Sequence, residues 1–184
     1  MSFWTQPDVT PKRNFRFLVT ITALGENGDA SVVWWAKTAK TPSFSLAETT
    51  HAYLDNTFKF PGRVTWDDVN ISLVDPVSPD ATQLTMEVLK KSNYKVKGQN
   101  ENQITVSKAK AATALGNVII QILSDDGDAV ETWVLNNPFI KSVSFSDLSY
   151  EDDGLRSIDL TIAYDWATCE VADGETYNGK PGAT

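Results

Sequence analysis

His51 and Cys169 are the only histidine and the only cysteine among 184 residues, so nucleophilic and metal chemistry have little to start from. His51 lies between Thr50 and Ala52 in a polar stretch, with no second imidazole for a zinc pair or a catalytic relay. A single cysteine excludes an intrachain disulfide and an intrachain thiolate cluster. Asp125-Asp126-Gly127-Asp128 has the look of a calcium loop, but the bidentate glutamate is missing at its spacing and apolar strand patterns flank it. Asp67-Asp68 and Glu151-Asp152-Asp153 are the remaining acid–base candidates, for glycoside hydrolysis. Adjacent acids on a strand or loop point apart rather than across a cleft. No phosphate-cradling glycine motif and no nucleophile elbow occurs. The expectation is a protein that is not an enzyme, with no catalytic residue, no cofactor and no metal. Of the six tryptophans, Trp34, Trp66, Trp133 and Trp166 fall in expected strands, where they fill a core or an interface. A monomeric carbohydrate-binding β-sandwich that stacks sugars on Trp34, Trp35 or Trp133 is the alternative from another class.

Charge narrows the partners. Sixteen basic residues against 24 acidic ones leave a net charge of −8, which opposes tight binding of a phosphate backbone. Its distribution is uneven. Lys90, Lys91, Lys95, Lys97, Lys108 and Lys110 face only Glu101 within residues 90–110, whereas residues 125–175 hold thirteen carboxylates against Lys141 and Arg156. These are either two solvated faces or two surfaces that meet between neighbouring copies and fix their register. No apolar run approaches the roughly 20 residues that span a bilayer, and Met1 to Pro7 lacks a basic region followed by an apolar stretch. The expectation is a soluble chain made in a cytoplasm.

The elements that must position these groups are mostly strands. Phe15, Phe17, Val19 and Ile21 alternate with Arg16, Leu18, Thr20 and Thr22, predicting a first strand. Gly25 to Asp29 reads as a tight reversal, with Ser31 to Ala39 as the returning strand. After Thr41-Pro42 a polar hairpin, residues 47–60, predicts an exposed arm closed by Pro61-Gly62. Trp66, Val69, Ile71 and Leu73 resume a strand. Between Pro79 and Asn93 the period changes to three and four residues behind Ser78-Pro79-Asp80, predicting a helix over 79–93 whose last turns carry Lys90 and Lys91. Residues 94–103 read as a loop, and Lys108 to Leu115 as a short second helix ended by Gly116. Asn117 to Leu123 and Ala129 to Leu135 form a strand pair across the Asp125–Asp128 turn, and Phe139 to Phe145 is a further strand. Ile158, Leu160, Ile162, Tyr164 and Trp166 alternate strictly with polar or small residues as the last strand. Residues 1–12 read as an N-terminal arm and residues 170–184 as a mobile tail, around one domain spanning 1–184.

The segment Lys59-Phe60-Pro61-Gly62-Arg63-Val64-Thr65-Trp66-Asp67-Asp68 and the terminal Ile158-Asp159-Leu160-Thr161-Ile162-Ala163-Tyr164-Asp165 stand in a strand, arm, strand, helix, paired-strand order. In that order the chain resembles the T4-type tail tube proteins of contractile-tailed phages, over roughly residues 12–168. The family shows a Pro-Gly turn into an aromatic-Asp-Asp strand and ends on an alternating strand. The 94–110 stretch and the tail beyond Cys169 depart from it. The resemblance implies two packed antiparallel sheets, a sandwich or split barrel with one external helix, assembling into a hexameric ring with a continuous inner β-barrel. It implies rings stacked into the tail tube of a virion, assembled in the host cytoplasm and conducting DNA without binding it specifically. Implied partners are further copies of the chain, the tail sheath, the baseplate and the tail terminator. A tailocin or type VI secretion inner tube, or a baseplate tube initiator, shares the architecture and is the runner-up. His51, Tyr53, Leu54, Asp55, Asn56 and Phe58 of the arm are the implied inter-ring contact. A channel for DNA must not hold phosphates, so the candidate lumen acids are Asp125, Asp126, Asp128, Glu131, Asp159 and Asp165.

Overall fold

Ile158, Leu160 and Ile162 point to one side of a strand and are wholly buried, whereas Asp159 between them is exposed. This is the sheet consequence of a two-residue period. In the computed structural model, which describes residues 11–24, 33–78, 80–94, 105–151, 153–172 and 176–178, that strand is β9 (Ser157–Ala163). It lies inside a four-stranded sheet, called sheet B. β5 (Val69–Val74) pairs with it on one side and β8 (Phe139–Phe145) on the other, and β2 (Ala36–Ala39) forms the far edge beyond β5. Sheet A contains β1 (Phe17–Ile21), β6 (Val118–Leu123), β7 (Ala129–Asn136), β10 (Trp166–Val171) and β11 (Thr176–Asn178), in that spatial order. β3 (Phe44–Tyr53) and β4 (Asn56–Trp66) pair only with each other. All these pairings are antiparallel. The protein is mainly β, as the sequence predicts.

One core joins the sheets. Val19, Ile21, Val118, Ile120, Leu135 and Ala167 from sheet A cluster with Val69, Ile71, Leu73, Ile158, Leu160 and Ile162 from sheet B. Two chain crossings tie one margin, β7 into β8 through Asn137-Pro138 and β9 into β10 through Tyr164-Asp165. There the Asp165 amide donates to the Asn136 carbonyl. At the opposite margin Val33 N–H donates to Val19 of β1, and the Trp35 carbonyl accepts from Val74 of β5.

α1 (Ala81–Lys91) begins where the Asp80 carboxylate accepts from the Gln83 amide at 3.0 Å. It buries Ala81, Thr85 and Val88, spaced by four and three residues. α2 (Lys108–Leu115) is capped by Ser107 and stops at Gly116, whose φ of +72° favours glycine. A Cβ at Gly116 would stand 2.8 Å from that of Thr22, so the close approach of this turn to the 22–24 segment also requires glycine.

The structure corrects several sequence expectations. Among the described residues β1 has no ladder with the segment after it beyond the Val33–Val19 hydrogen bond. It pairs with β6, while β2 is only four residues long and pairs with β5. The turn at 25–29 lies outside the described residues, as do 1–10, 95–104 and 179–184. The last strand is two strands, because the chain turns at Tyr164-Asp165 and Trp166 opens β10. Trp66 likewise ends β4 rather than opening β5. The short second helix read at Lys108 to Leu115 is present as α2, where the resemblance implied a single external helix. Where a mobile tail is expected over 170–184, Glu170 and Val171 belong to β10 and residues 176–178 pair with it.

Candidate self-assembly surfaces

The β3–β4 arm is twice anomalous: it has strand partners only within itself, and from Phe44 to Thr65 every residue is exposed. An isolated two-stranded hairpin is marginal in water, so its residue pattern carries information. Phe44 pairs with Trp66, Leu46 with Val64, Thr49 with Phe60, His51 with Phe58 and Tyr53 with Asn56. A register shift between Leu46 and Glu48 keeps all of these on one face, where counting along β3 alone would scatter them. Phe44, Leu46, Tyr53, Phe58, Phe60 and Val64 thus form one stripe, each 50–64% exposed. The opposite face carries Glu48 and Lys59, bridged at 3.1 Å, with Thr50, Thr57 and Arg63. At the root, Phe44 packs tilted against Trp66 with ring centroids 5.3 Å apart, and Trp66 against Tyr164 at 6.0 Å. The stripe therefore continues the core outward. Gly62 fits the bulge because a Cβ there would come 2.9 Å from the Ala47 carbonyl oxygen.

Sheet B presents a contrasting outer face. Asn70, Thr161 and Ser142 form one cross-strand row and Ser72, Asp159 and Ser144 the next, with Thr38 beside Ser72. Asp159 is the only charged group in these rows. The outer face of sheet A mixes Leu18, Ile119, Val134 and Trp166 with Gln121, Thr132, Asn136 and Thr168, joined by Gln121–Thr132 and Asn136–Thr168 hydrogen bonds.

The structure disperses the six candidate lumen acids. Asp125, Asp126 and Asp128 are exposed in the β6–β7 turn, and Asp159 stands on sheet B. Glu131 points to the inner side of sheet A. Burial raises its pKa, but hydrogen bonds from Lys12 and Trp133 and the lysine charge outweigh this and hold it below the usual value. Asp165, at the β9–β10 crossing, binds Lys108 of α2 at 2.5 Å and accepts from Asn137 at 2.9 Å. The Lys108 contact is the main reason its pKa falls. The six arm residues, by contrast, are brought together at the tip. Asp67 accepts from Ser43 at 3.0 Å and Asp68 binds Lys141 at 2.6 Å, so these neighbouring acids serve different partners. Beside them, burial and their two charges push the Tyr164 hydroxyl up to about 12. Among the described residues no group of three His, Cys, Asp or Glu could hold a metal ion. Trp35 is buried and the Trp133 indole donates to Glu131, leaving only Trp34 of the proposed sugar platform exposed.

Sequence reasoning missed Phe44, Leu46 and Val64 as part of the arm's surface. The available signal was even spacing along Phe58, Phe60, Gly62, Val64 and Trp66. It also missed the β8–β9 loop, where Leu148, Tyr150 and Leu155 are 83%, 111% and 78% exposed.

No protein-family model matches the sequence, and no curated protein matches it. Solved structures do. A chain of the anti-feeding prophage baseplate, in a 6-fold symmetrised structure, superposes with a TM-score of 0.64 at 16% identity, over 88% of this chain and 96% of that one. A chain of that particle's tube terminating cap gives 0.63 at 17%, over 94% and 100%. A chain of the PVC extracellular contractile injection system, in its sheath-tube complex, gives 0.57 at 18%, over 94% and 99%. The protein shares their fold, in agreement with the tail-tube resemblance.

Proposed function

We propose that this chain is a structural subunit of a contractile tail: copies close into hexameric rings through the edges of sheet B, and the rings stack into a tube. One observation carries the reading. The arm's apolar stripe is continuous with the core yet uncovered, and a chain whose core runs out along a free hairpin is completed by another copy. The shared fold with components of contractile particles supports it, and so does the 6-fold symmetry of one of those structures. The two edges of sheet B, β2 and β8, have no further strand among the described residues. Pairing them between copies removes both edges.

In this arrangement the Ser, Thr and Asn face of sheet B lines the channel. Its cross-strand rows are nearly neutral, with Asp159 as their one charge; of the lysines at the bulges of β2 and β8, Lys141 is paired with Asp68, so a phosphate backbone meets few free cations there. Of the six candidate acids only Asp159 then faces the lumen. The half-apolar outer face of sheet A suits an outer layer such as a sheath. Tube, tube initiator and terminator share this logic. Conduction of DNA in a virion is the tail-tube form of the reading, and a tailocin or secretion tube is its counterpart without DNA.

Negative-stain microscopy and native mass spectrometry of the purified chain, alone and with a baseplate seed, test it. Six-membered rings or tubes are expected. A chain that stays monomeric at high concentration in both conditions refutes the proposal. Deleting Ala52 to Thr57 should leave a folded subunit, by circular dichroism, whose rings no longer stack. Tubes of normal length from that variant would remove the arm from the contact.

A further inference from the structure

An apolar groove of about 530 Å³ runs between α1, α2 and β8, lined by Met86, Leu89, Val106, Phe139, Val143 and Phe145 among others. Met86, Leu89 and Val106 are 53%, 41% and 49% exposed, so apolar surface is gathered along the groove rather than scattered singly. The groove has a direction, fixed by hydrogen bonds. Asp75, at the far end of β5, accepts from Thr82 in the first turn of α1. At the other end Asn93 donates to Thr105, and Lys108 binds Asp165 at the β9–β10 crossing. Thus α1 ends, and α2 begins, at the end of sheet B from which the arm projects. Lys90, Lys91 and Lys110 cluster there and are exposed, and Lys91 and Lys110 line one shallow depression. Among the described residues none of the three has an ion pair, unlike Lys12, Lys59, Lys108 and Lys141.

The opposite end of sheet B carries the complement. The β8–β9 loop presents Leu148, Tyr150 and Leu155 to solvent, flanked by Asp147, Glu151 and Asp153, which are exposed and without an ion pair among the described residues. The groove runs the length of β8, from Phe139 at the arm end to Phe145 at the loop end; the arm end is cationic and the loop end anionic. Opposite ends of one molecule meet between copies arranged head to tail, a contact that propagates instead of closing on itself. We infer that the groove of one copy receives the β8–β9 loop of the copy stacked upon it, with Leu148, Tyr150 and Leu155 against the apolar lining and the loop carboxylates against Lys90, Lys91 and Lys110. This rests on the stacking reading above and supplies its charge register. The arm is the weaker occupant, because its Glu48 and Lys59 already satisfy each other and its one remaining carboxylate, Asp55, can match a single lysine where the loop brings three carboxylates.

Cross-linking between separately made variants tests the contact. On a Cys169→Ser background, Met86→Cys and Tyr150→Cys proteins are purified apart, mixed at high concentration and treated with a short bis-maleimide. A covalent dimer in the mixture, exceeding that of either protein alone, is expected. Adding Lys90→Glu, Lys91→Glu and Lys110→Glu to the first protein should cut the yield roughly tenfold, and adding Asp147→Lys, Glu151→Lys and Asp153→Lys to the second should restore it. Restoration separates a broken contact from a misfolded variant. No dimer with Tyr150→Cys, or a yield indifferent to the charge reversals, overturns the inference. A dimer formed preferentially with Leu54→Cys gives the groove to the arm and overturns it too. In either case wild-type rings and tubes, seen by microscopy, leave the tube reading standing. If the wild type makes neither, that reading fails, while the mixed cross-link decides the contact by itself.

Discussion

β9 and β4 both place large apolar residues at every second position, and both have antiparallel neighbours. In β9, Ile158, Leu160 and Ile162 are sealed by two flanking strands, a facing sheet and the helices. In β4, Phe58, Phe60 and Val64 have one flanking strand and stay about half exposed. The same local pattern thus has two energetic meanings. In the body it pays the entropy of folding within one chain. In the arm, on the assembly we propose, that favourable term is deferred until another copy arrives, when covering half-exposed side chains of this size contributes ~1 kcal/mol each. Substitutions should therefore separate into those that unfold the subunit and those that spare it and abolish assembly.

The largest effect belongs to the body. Leu160→Ala removes a side chain that is 1% exposed between β5 and β8, and should cost ~2–5 kcal/mol of unfolding free energy, read as a lower urea midpoint by circular dichroism. Phe58→Ser with Phe60→Ser is the matched change in the arm. It should shift the monomer's midpoint by less than about 0.5 kcal/mol and raise the concentration needed for assembly at least tenfold, by light scattering. Equal losses of monomer stability in both variants would erase the distinction between the two strands.

Gly62→Val acts between these limits. Its side chain would meet the Ala47 carbonyl at the bulge, forcing the register that gathers the stripe on one face to shift. A cost of ~1–3 kcal/mol is expected, confined to the arm. Amide exchange should report faster opening at residues 44–66 and unchanged protection in β9. Unchanged arm protection would mean that the bulge does not need glycine.

These elements also mark how far the sequence could be read. β9, the β6–β7 pair and both helices were legible because each is specified locally, by alternation, by the Asp125–Asp128 turn, by the Asp80 and Ser107 caps and by Gly116. β1 was legible as a strand but not in its partner. Its neighbour β6 lies about a hundred residues away, and nothing local distinguishes that pairing from a hairpin with residues 31–39. The crossing at Tyr164-Asp165 was hidden because the alternation runs on to Trp166, so a turn that leaves the period intact gives no signal. Charge was legible as a total and as two stretches, but chain order does not place Asp125, Glu131, Asp159 and Asp165 on one surface. The folded chain puts them in a turn, on an inner face, on an outer face and at a crossing.

The body has a weak point of its own where α2 is fastened to the sheets. Lys108 holds the Asp165 carboxyl below its usual pKa, so the contact favours folding above the ordinary carboxylate value of ~3.9 and is lost as pH falls through the lower folded value. Urea midpoints at pH 7 and pH 2.5 should therefore differ less for Asp165→Asn than for the wild type. The effect is modest because both partners are partly exposed. An identical pH dependence in the two proteins would remove Asp165 from the acid limb.

The smallest effect is at the arm's tip, and it returns to the contrast between strands. Leu54 adopts φ of +52°, a left-handed conformation that costs a non-glycine residue on the order of 1 kcal/mol, and its side chain is 85% exposed. Leucine there helps neither the turn nor the isolated subunit. Leu54→Gly relieves the strain, so if Leu54 served only to close the hairpin, the variant should hold the arm more firmly and assemble as well as the wild type. If the tip is selected for contact, the same change should leave the monomer's midpoint within about 0.5 kcal/mol of the wild type and increase protection at residues 53–56, yet weaken stacking several-fold, since it deletes an apolar side chain of ~2 kcal/mol burial value. Exchange at the tip and the length distribution of tubes measure the two sides independently. Firmer tips with full-length tubes would show that Leu54 is tolerated rather than used, and would move the stacking contact down the arm toward Phe58 and Phe60.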